Sequence, residues 1–178
     1  KICGECHVDL GELKMLGVEE LKERIEITNT TVECPVKGCN EKVERQRKDT
    51  RKKKTSFKCP IHKIIISPST FEYPSESDNL LWKESPDKEL LEKIKKVKRE
   101  SRITHDNSED AVTWNVFRFL EKNKLLSALL AELSKSVVKN SELIYWSYCQ
   151  SQQNAWSKMR RARKEFETRP QKGSEPDI

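Results

Sequence analysis

The sequence predicts an α+β chain in which a small β segment, built around paired metal-ligating residues, precedes a helical part. Three observations point to this. Cysteine and histidine are grouped as Cys34-x4-Cys39 and Cys59-x2-His62, with 40–58 between them, among turn-forming and β-branched residues. From Ser85 onward, apolar residues recur at helical spacing and turn formers are sparse. The charge is uneven as well: of 35 Lys+Arg and 29 Asp+Glu, nine basic and three acidic residues lie within 41–58. The formal net charge of +6 therefore resides there, and the remainder of the chain is neutral.

Composition excludes some classes. Charged residues make up 36% of the chain and hydrophobic ones 34%, well above the usual charged quarter. No stretch approaches 18 consecutive apolar residues, so a membrane-spanning helix is not expected. No charged-then-apolar leader opens the sequence, and the expected compartment is the cytoplasm. There, six cysteines point to metal ligation or free thiols before disulfides. A length of 178 fits one ordinary domain or a small module plus a medium one. The chain starts at Lys1 and stops at Ile178 just inside a motif, so both ends are expected to be cut.

The elements follow in order. Residues 1–30 form an N-terminal segment with a CxxC, in which 18–27 is expected to be a short helix with Leu21 and Ile25 on one face. Residues 31–74 read as a zinc ribbon: Cys34-Pro-Val-Lys-Gly-Cys39 is a turn between strands, and Lys63-Ile-Ile-Ile-Ser67 a short strand. Residues 75–104 are a Ser/Pro-rich linker and a connecting helix. Leu80, Leu81 and Trp82 should dock, Ser85 should cap the helix with Pro86 first inside it, and Leu90, Leu91, Ile94 and Val97 form its stripe. Residues 105–178 carry helices expected over about 107–122, 124–137 and 151–166. Gly173, Pro176 and Ile178 then suggest entry into a strand.

Two close ligand pairs separated by a β-hairpin's length of chain can close a tetrahedral Cys3His site for a structural Zn²⁺. The expected ligands are Cys34, Cys39, Cys59 and His62, with Pro35, Gly38 and Pro60 in the knuckle turns. Cys3 and Cys6, followed by His7, are candidates for a second metal half-site; redox chemistry and no function at all are the alternatives, and haem attachment is disfavoured because it needs export. Cys149, among Tyr145, Trp146 and Tyr148, reads as a packed hydrophobe. The basic block comprises Lys42, Arg45, Arg47, Lys48, Arg51, Lys52, Lys53, Lys54 and Lys58. As a hairpin between two metal-held knuckles it would be a rigid basic finger suited to nucleic-acid phosphates, which position a protein without reading sequence. Lys158, Arg160, Arg161, Arg163 and Lys164 form a further basic cluster.

In the helix beginning near Ser108, Val112, Val116, Phe119 and Leu120 project to one arc, with Glu109 in its middle. Glu109 is thus expected to face the core or a cleft, either complementing the helix dipole or serving a metal site. Ser108-Glu-Asp-Ala-Val-Thr-Trp-Asn-Val-Phe-Arg-Phe-Leu120 carries a resemblance, together with the knuckles, Ile66-Ser-Pro-Ser-Thr-Phe-Glu-Tyr73 and the terminal Gly173-Ser-Glu-Pro-Asp177-Ile178. From about Cys34 onward the chain resembles bacterial restriction-endonuclease-like proteins of the PD-(D/E)xK nuclease superfamily. The resemblance implies an α/β nuclease core, incomplete here, and Mg²⁺-dependent DNA cleavage. By position Glu109 matches the helix acid and Asp177 the Pro-Asp acid. The E-x-K half of the motif is absent up to Ile178, so a longer protein or a lost activity is expected.

The leading expectation is therefore a metal-dependent DNA endonuclease with a zinc ribbon on the nucleic-acid backbone. A non-catalytic zinc-ribbon nucleic-acid-binding protein is the alternative, and an interaction module built on the helices a weaker third. The expected partner is DNA, with RNA as the alternative and a homodimer as a further option, and no membrane partner is expected.

Overall fold

The computed structural model describes residues 20–46, 54–67, 70–98 and 101–167. The chain is mixed α and β, with four α-helices and small antiparallel sheets among the described residues. It divides into two compact units, one drawn from Lys1–Leu81 and Ile103–Ala111, the other from Trp82–Arg102 and Val112–Ile178. No helix is long and apolar enough to cross a membrane among the described residues.

In the first unit, β1 (Thr31–Glu33) and β2 (Lys42–Glu44) form an antiparallel pair with Val32 opposite Val43. Both valines are buried while their neighbours are not, the period-2 alternation of a half-buried strand. The segment expected to be a helix over 18–27 is extended where described: Leu21 bridges Val36 and Ile27 bridges Val32. Its apolar residues fit either period over so short a stretch, and pairing with the ribbon decides between them. β3 (Ile65–Ile66) pairs with β4 (Phe71–Glu72), and Glu72 bridges His105.

The 75–84 stretch is more ordered than a linker. Ser75 and Asp78 form a reciprocal capping box on the 3₁₀ turn Glu76–Asn79. Buried Asn79 donates to the carbonyls of Ile103 at 2.8 Å and His105 at 2.7 Å, and Leu80 is buried as expected.

In the second unit, α1 (Ser85–Lys95) has Glu84 at its N-cap, one position before the expected Ser85, and Pro86 in its first turn. It buries Leu91 and Ile94. Helix α2 (Glu109–Lys122) begins in the first unit's segment and continues in the second's; the Ser108 hydroxyl accepts from the Ala111 N–H at 3.2 Å, as an N-cap does. Helix α3 (Leu126–Ser134) is shorter than expected and ends on Lys135 in the left-handed region.

Two expectations about this part are corrected. The helix expected over 151–166 starts later, as α4 over Ser157–Phe166, and a meander that was not expected, of β5 (Ile144–Tyr145), β6 (Tyr148–Cys149) and β7 (Asn154–Ala155), precedes it. The inward face of α2 is also the other one. Ala111 and Trp114 are buried, while Val112 is 62% and Val116 48% exposed. Trp114 wins because both faces are apolar and its indole has the larger surface to bury. Its Nε1 donates to the Trp82 carbonyl, and Trp82 Nε1 to the Asn115 carbonyl, both at 3.0 Å.

Fully buried Asp87 of α1 accepts from Arg118 Nε at 2.7 Å and Lys122 Nζ at 2.8 Å. Glu121 accepts from Arg118 at 2.7 Å and from Tyr145 at 2.9 Å, and also from Gln150. This network ties α1, α2 and the meander together beside Trp114, Tyr145 and Trp146, whose rings meet at tilted angles. Burial first, then the Glu121 carboxylate, pushes the Tyr145 phenol well above its ordinary range.

Candidate metal centre

Each expected ligand pair sits in a turn. Cys34 and Cys39 flank the connection between β1 and β2, closed by the Cys34 N–H on the Glu41 carbonyl at 2.8 Å and the Cys39 N–H on the Val36 carbonyl at 3.1 Å. Gly38 has φ +77, and a Cβ there would meet nothing within 4 Å. Glycine is thus favoured there by the left-handed backbone and not by crowding. The second turn is held by the Cys59 N–H on the Ile64 carbonyl at 2.9 Å and the Lys63 N–H on the Cys59 carbonyl at 3.0 Å, with Lys58 bridging Ile65.

The two turns bring four donor atoms together, all within 4.8 Å of one another. Cys34 Sγ lies 3.7 Å from His62 Nδ1, Cys59 Sγ 3.9 Å from the same nitrogen, and Cys39 Sγ 4.0 Å from Cys59 Sγ. A metal–sulfur bond of about 2.3 Å in a tetrahedron places its ligand atoms about 3.8 Å apart. Three thiols and one imidazole at these separations can hold a tetrahedral metal ion. The cysteines are buried and His62 is half-buried, so the set leaves little room for a labile fifth ligand.

The protonation landscape is divided. Burial pushes the Cys34 thiol up to about 12. Burial acts on Cys59 in the same sense, but the amides of His62 and Ile61 and the neighbouring thiols outweigh it and hold Cys59 below its ordinary value. His62 N–H lies 3.4 Å from Cys59 Sγ. The second knuckle is thus prepared to carry thiolate, whereas Cys34 would give up its proton only to a bound cation.

Around the centre, Lys42 of β2 pairs with Glu26 at 2.7 Å, Arg45 donates to the Thr28 carbonyl at 3.1 Å, and Lys58 is exposed. The basic block does not fold back on itself where described. Lys42–Glu44 pairs with Thr31–Glu33, and Lys54–Phe57 is a 3₁₀ turn. The knuckles are the hairpin tips, and the block connects them. Arg47, Lys48, Arg51, Lys52 and Lys53 lie outside the described residues, as do Cys3, Cys6 and His7.

Glu109 opens α2 on the exposed side of the helix, with Val112 and Val116, and not toward a core as expected. Asp177 and the expected strand entry at Gly173 lie outside the described residues. Arg160 and Arg161 are exposed on α4, and Arg163 is half-buried. Cys149 is buried, as its aromatic neighbours suggested. Sequence reasoning did not find the Asp87, Arg118 and Lys122 network, although Arg118 and Lys122 stand at i and i+4 on one helix, the one available signal. Comparison of the chain with protein-family models, curated proteins and solved structures finds no match.

Proposed function

We propose that this chain is a zinc-stapled nucleic-acid-binding protein acting in metal-dependent DNA cleavage. The observation that carries the binding part is the convergence of Cys34, Cys39, Cys59 and His62 on one point at tetrahedral spacing. Zinc suits that donor set, because a closed thiolate and imidazole shell serves an ion with no redox chemistry. A zinc there would hold the two knuckles, and with them Lys42, Arg45 and Lys58 near their ends, so those cations would need less ordering on contact with phosphates.

The cleavage part is supported by the resemblance of the residue strings around Glu109 and Asp177 to PD-(D/E)xK nucleases. Those two carboxylates would hold Mg²⁺, which prefers hard oxygen ligands, lowers the pKa of bound water and offsets charge developing on phosphate. Glu109 is exposed, so its carboxylate is open to a hydrated cation. The test is a nicking assay on the full protein containing this chain. Mg²⁺-dependent nicking that Asp177→Ala and Glu109→Ala each abolish, with DNA affinity retained, supports cleavage. Binding without any Mg²⁺-dependent cleavage favours the non-catalytic zinc-ribbon reading, and absence of salt-sensitive DNA binding overturns both.

A further inference from the structure

The second unit contains an open cleft of about 530 Å³ between the end of α1, the meander and α4. One face of α4 forms its floor: Trp156, Met159, Arg160, Arg163 and Lys164 follow the i, i+3, i+4, i+7, i+8 spacing that places side chains in one stripe. Lys96 faces them from the end of α1, and no acidic residue lines the cleft among the described residues. Lys96, Arg160 and Lys164 have no side-chain partner among the described residues. Arg163 is instead fixed in place, with Nη2 donating to Ser147 Oγ at 3.3 Å.

Ser147 is buried and strained. It and Trp146 form the two-residue turn between β5 and β6, with φ of 77 and 44. That geometry normally selects Asn or Gly. Non-glycine residues are disfavoured there, and such strain clusters where a fold positions functional groups. Here the Ser147 carbonyl accepts from the Trp156 N–H at 2.6 Å while its hydroxyl accepts from Arg163. The strained turn therefore sets both the indole and the guanidinium at the cleft.

We infer that this cleft binds a nucleotide unit, its phosphate on Lys96, Arg160 and Lys164 and its base against Trp156 and Met159. Unpaired cations without a lining carboxylate select an anion, and a half-buried indole beside them selects one that carries a flat ring. The volume falls within the ~300–1,000 Å³ range of small-ligand sites and so suits one nucleotide better than a duplex. The inference extends the nucleic-acid reading to a second surface and stands apart from the metal centre.

The test uses the full chain with deoxyadenosine monophosphate, a short single-stranded oligodeoxyadenylate and inorganic phosphate as probes. Tryptophan fluorescence should be quenched by a nucleotide probe, and Trp156→Phe should remove most of the quench while the protein stays folded by circular dichroism. Trp156→Ala and the Arg160→Ala/Lys164→Ala pair should each weaken binding about tenfold, the scale of one stacking or charge contact. Lys88→Ala/Lys139→Ala, which removes equal charge elsewhere in the same unit, should not. Binding of the monophosphate as tightly as the oligonucleotide identifies a free nucleotide as the source, and binding of the strand alone identifies a nucleotide within a chain. Equal loss from both lysine-containing pairs, inorganic phosphate binding as tightly as the nucleotide probes, or unchanged quenching in Trp156→Phe overturns the inference. If Arg45→Glu/Lys58→Glu abolishes DNA binding while the cleft variants do not, the cleft fails and the zinc-ribbon reading stands; the converse result sinks the ribbon as the contact surface and keeps the cleft.

Discussion

The two units are held together by different chemistry. In the first, one core cluster comprises Val32, Val36, Val43, Ile64, Ile66 and Tyr73 around Cys34, Cys39 and Cys59, so a third of that cluster consists of expected metal ligands. Its strands are two or three residues long, too short to be stable on hydrogen bonds alone. In the second, whole helices bury Leu91, Ile94 and Trp114 against an aromatic meander, and Asp87 is neutralised by two cations. One region centres on four side chains that can hold a metal, the other on distributed packing. Four converging side chains can thus do in a short stretch of chain what a hydrophobic core does in a larger domain.

The largest expected effect is therefore metal removal. Structural zinc contributes on the order of 10 kcal/mol in small zinc modules. A strong chelator, or Cys59→Ser, should abolish amide protection in β1 and β2 while leaving α1 and α2 protected by hydrogen exchange. Simultaneous loss in both units would erase the contrast. Next comes Trp114→Ala, which should cost about 3–5 kcal/mol by opening a cavity and lower the thermal midpoint of the second unit without changing bound metal.

Asp87→Ala should follow at about 3 kcal/mol, because half-buried Arg118 loses a charged partner. Its effect should show in denaturant unfolding of the helices alone. Gly38→Ala is smaller, about 1 kcal/mol, since the cost is confined to a left-handed backbone with open space around the Cβ. It should appear as weaker metal affinity.

The acid response is smallest and common to both units. The Ser151 amide, then its hydroxyl, holds Glu142 below the usual carboxylate range, as Lys22 and then the Glu26 amide hold Glu33. A carboxyl lowered in the folded state stabilises above its unfolded pKa of about 4.3 and loses that contribution as pH falls through the folded value. Glu142→Gln should therefore flatten the decline of the second unit's thermal midpoint below about pH 4.3 and leave that of the first unit unchanged.

The metal ligands were legible because ligand chemistry fixes residue type and spacing together, and Cys34, Cys39, Cys59 and His62 converge as their pattern required. The starts of α1 and α2 were legible from Pro86 and Ser108. The face of α2 was not, because Ala111, Val112, Trp114, Val116, Phe117, Phe119 and Leu120 leave both sides apolar. Periodicity then cannot choose, and the choice falls to Trp114 and to the pairing of Arg118 with Asp87. The meander was missed because the β5–β6 turn is Trp146-Ser147, with neither Asn nor Gly to announce it. The cleft followed from that same turn. Its cations on α4 were visible in the sequence, but Lys96, far from Arg160 along the chain, was not connected to them.

The decisive measurement is on the metal shell. X-ray absorption on the full chain carrying Cys3→Ser and Cys6→Ser, together with metal analysis, should find about one zinc per chain. That zinc should be bound by three sulfurs at about 2.3 Å and one imidazole nitrogen at about 2.0 Å, and Cys59→Ser should lose it. A folded, DNA-binding protein with no bound metal, or a zinc whose shell is unchanged by Cys59→Ser, would contradict coordination by these four ligands.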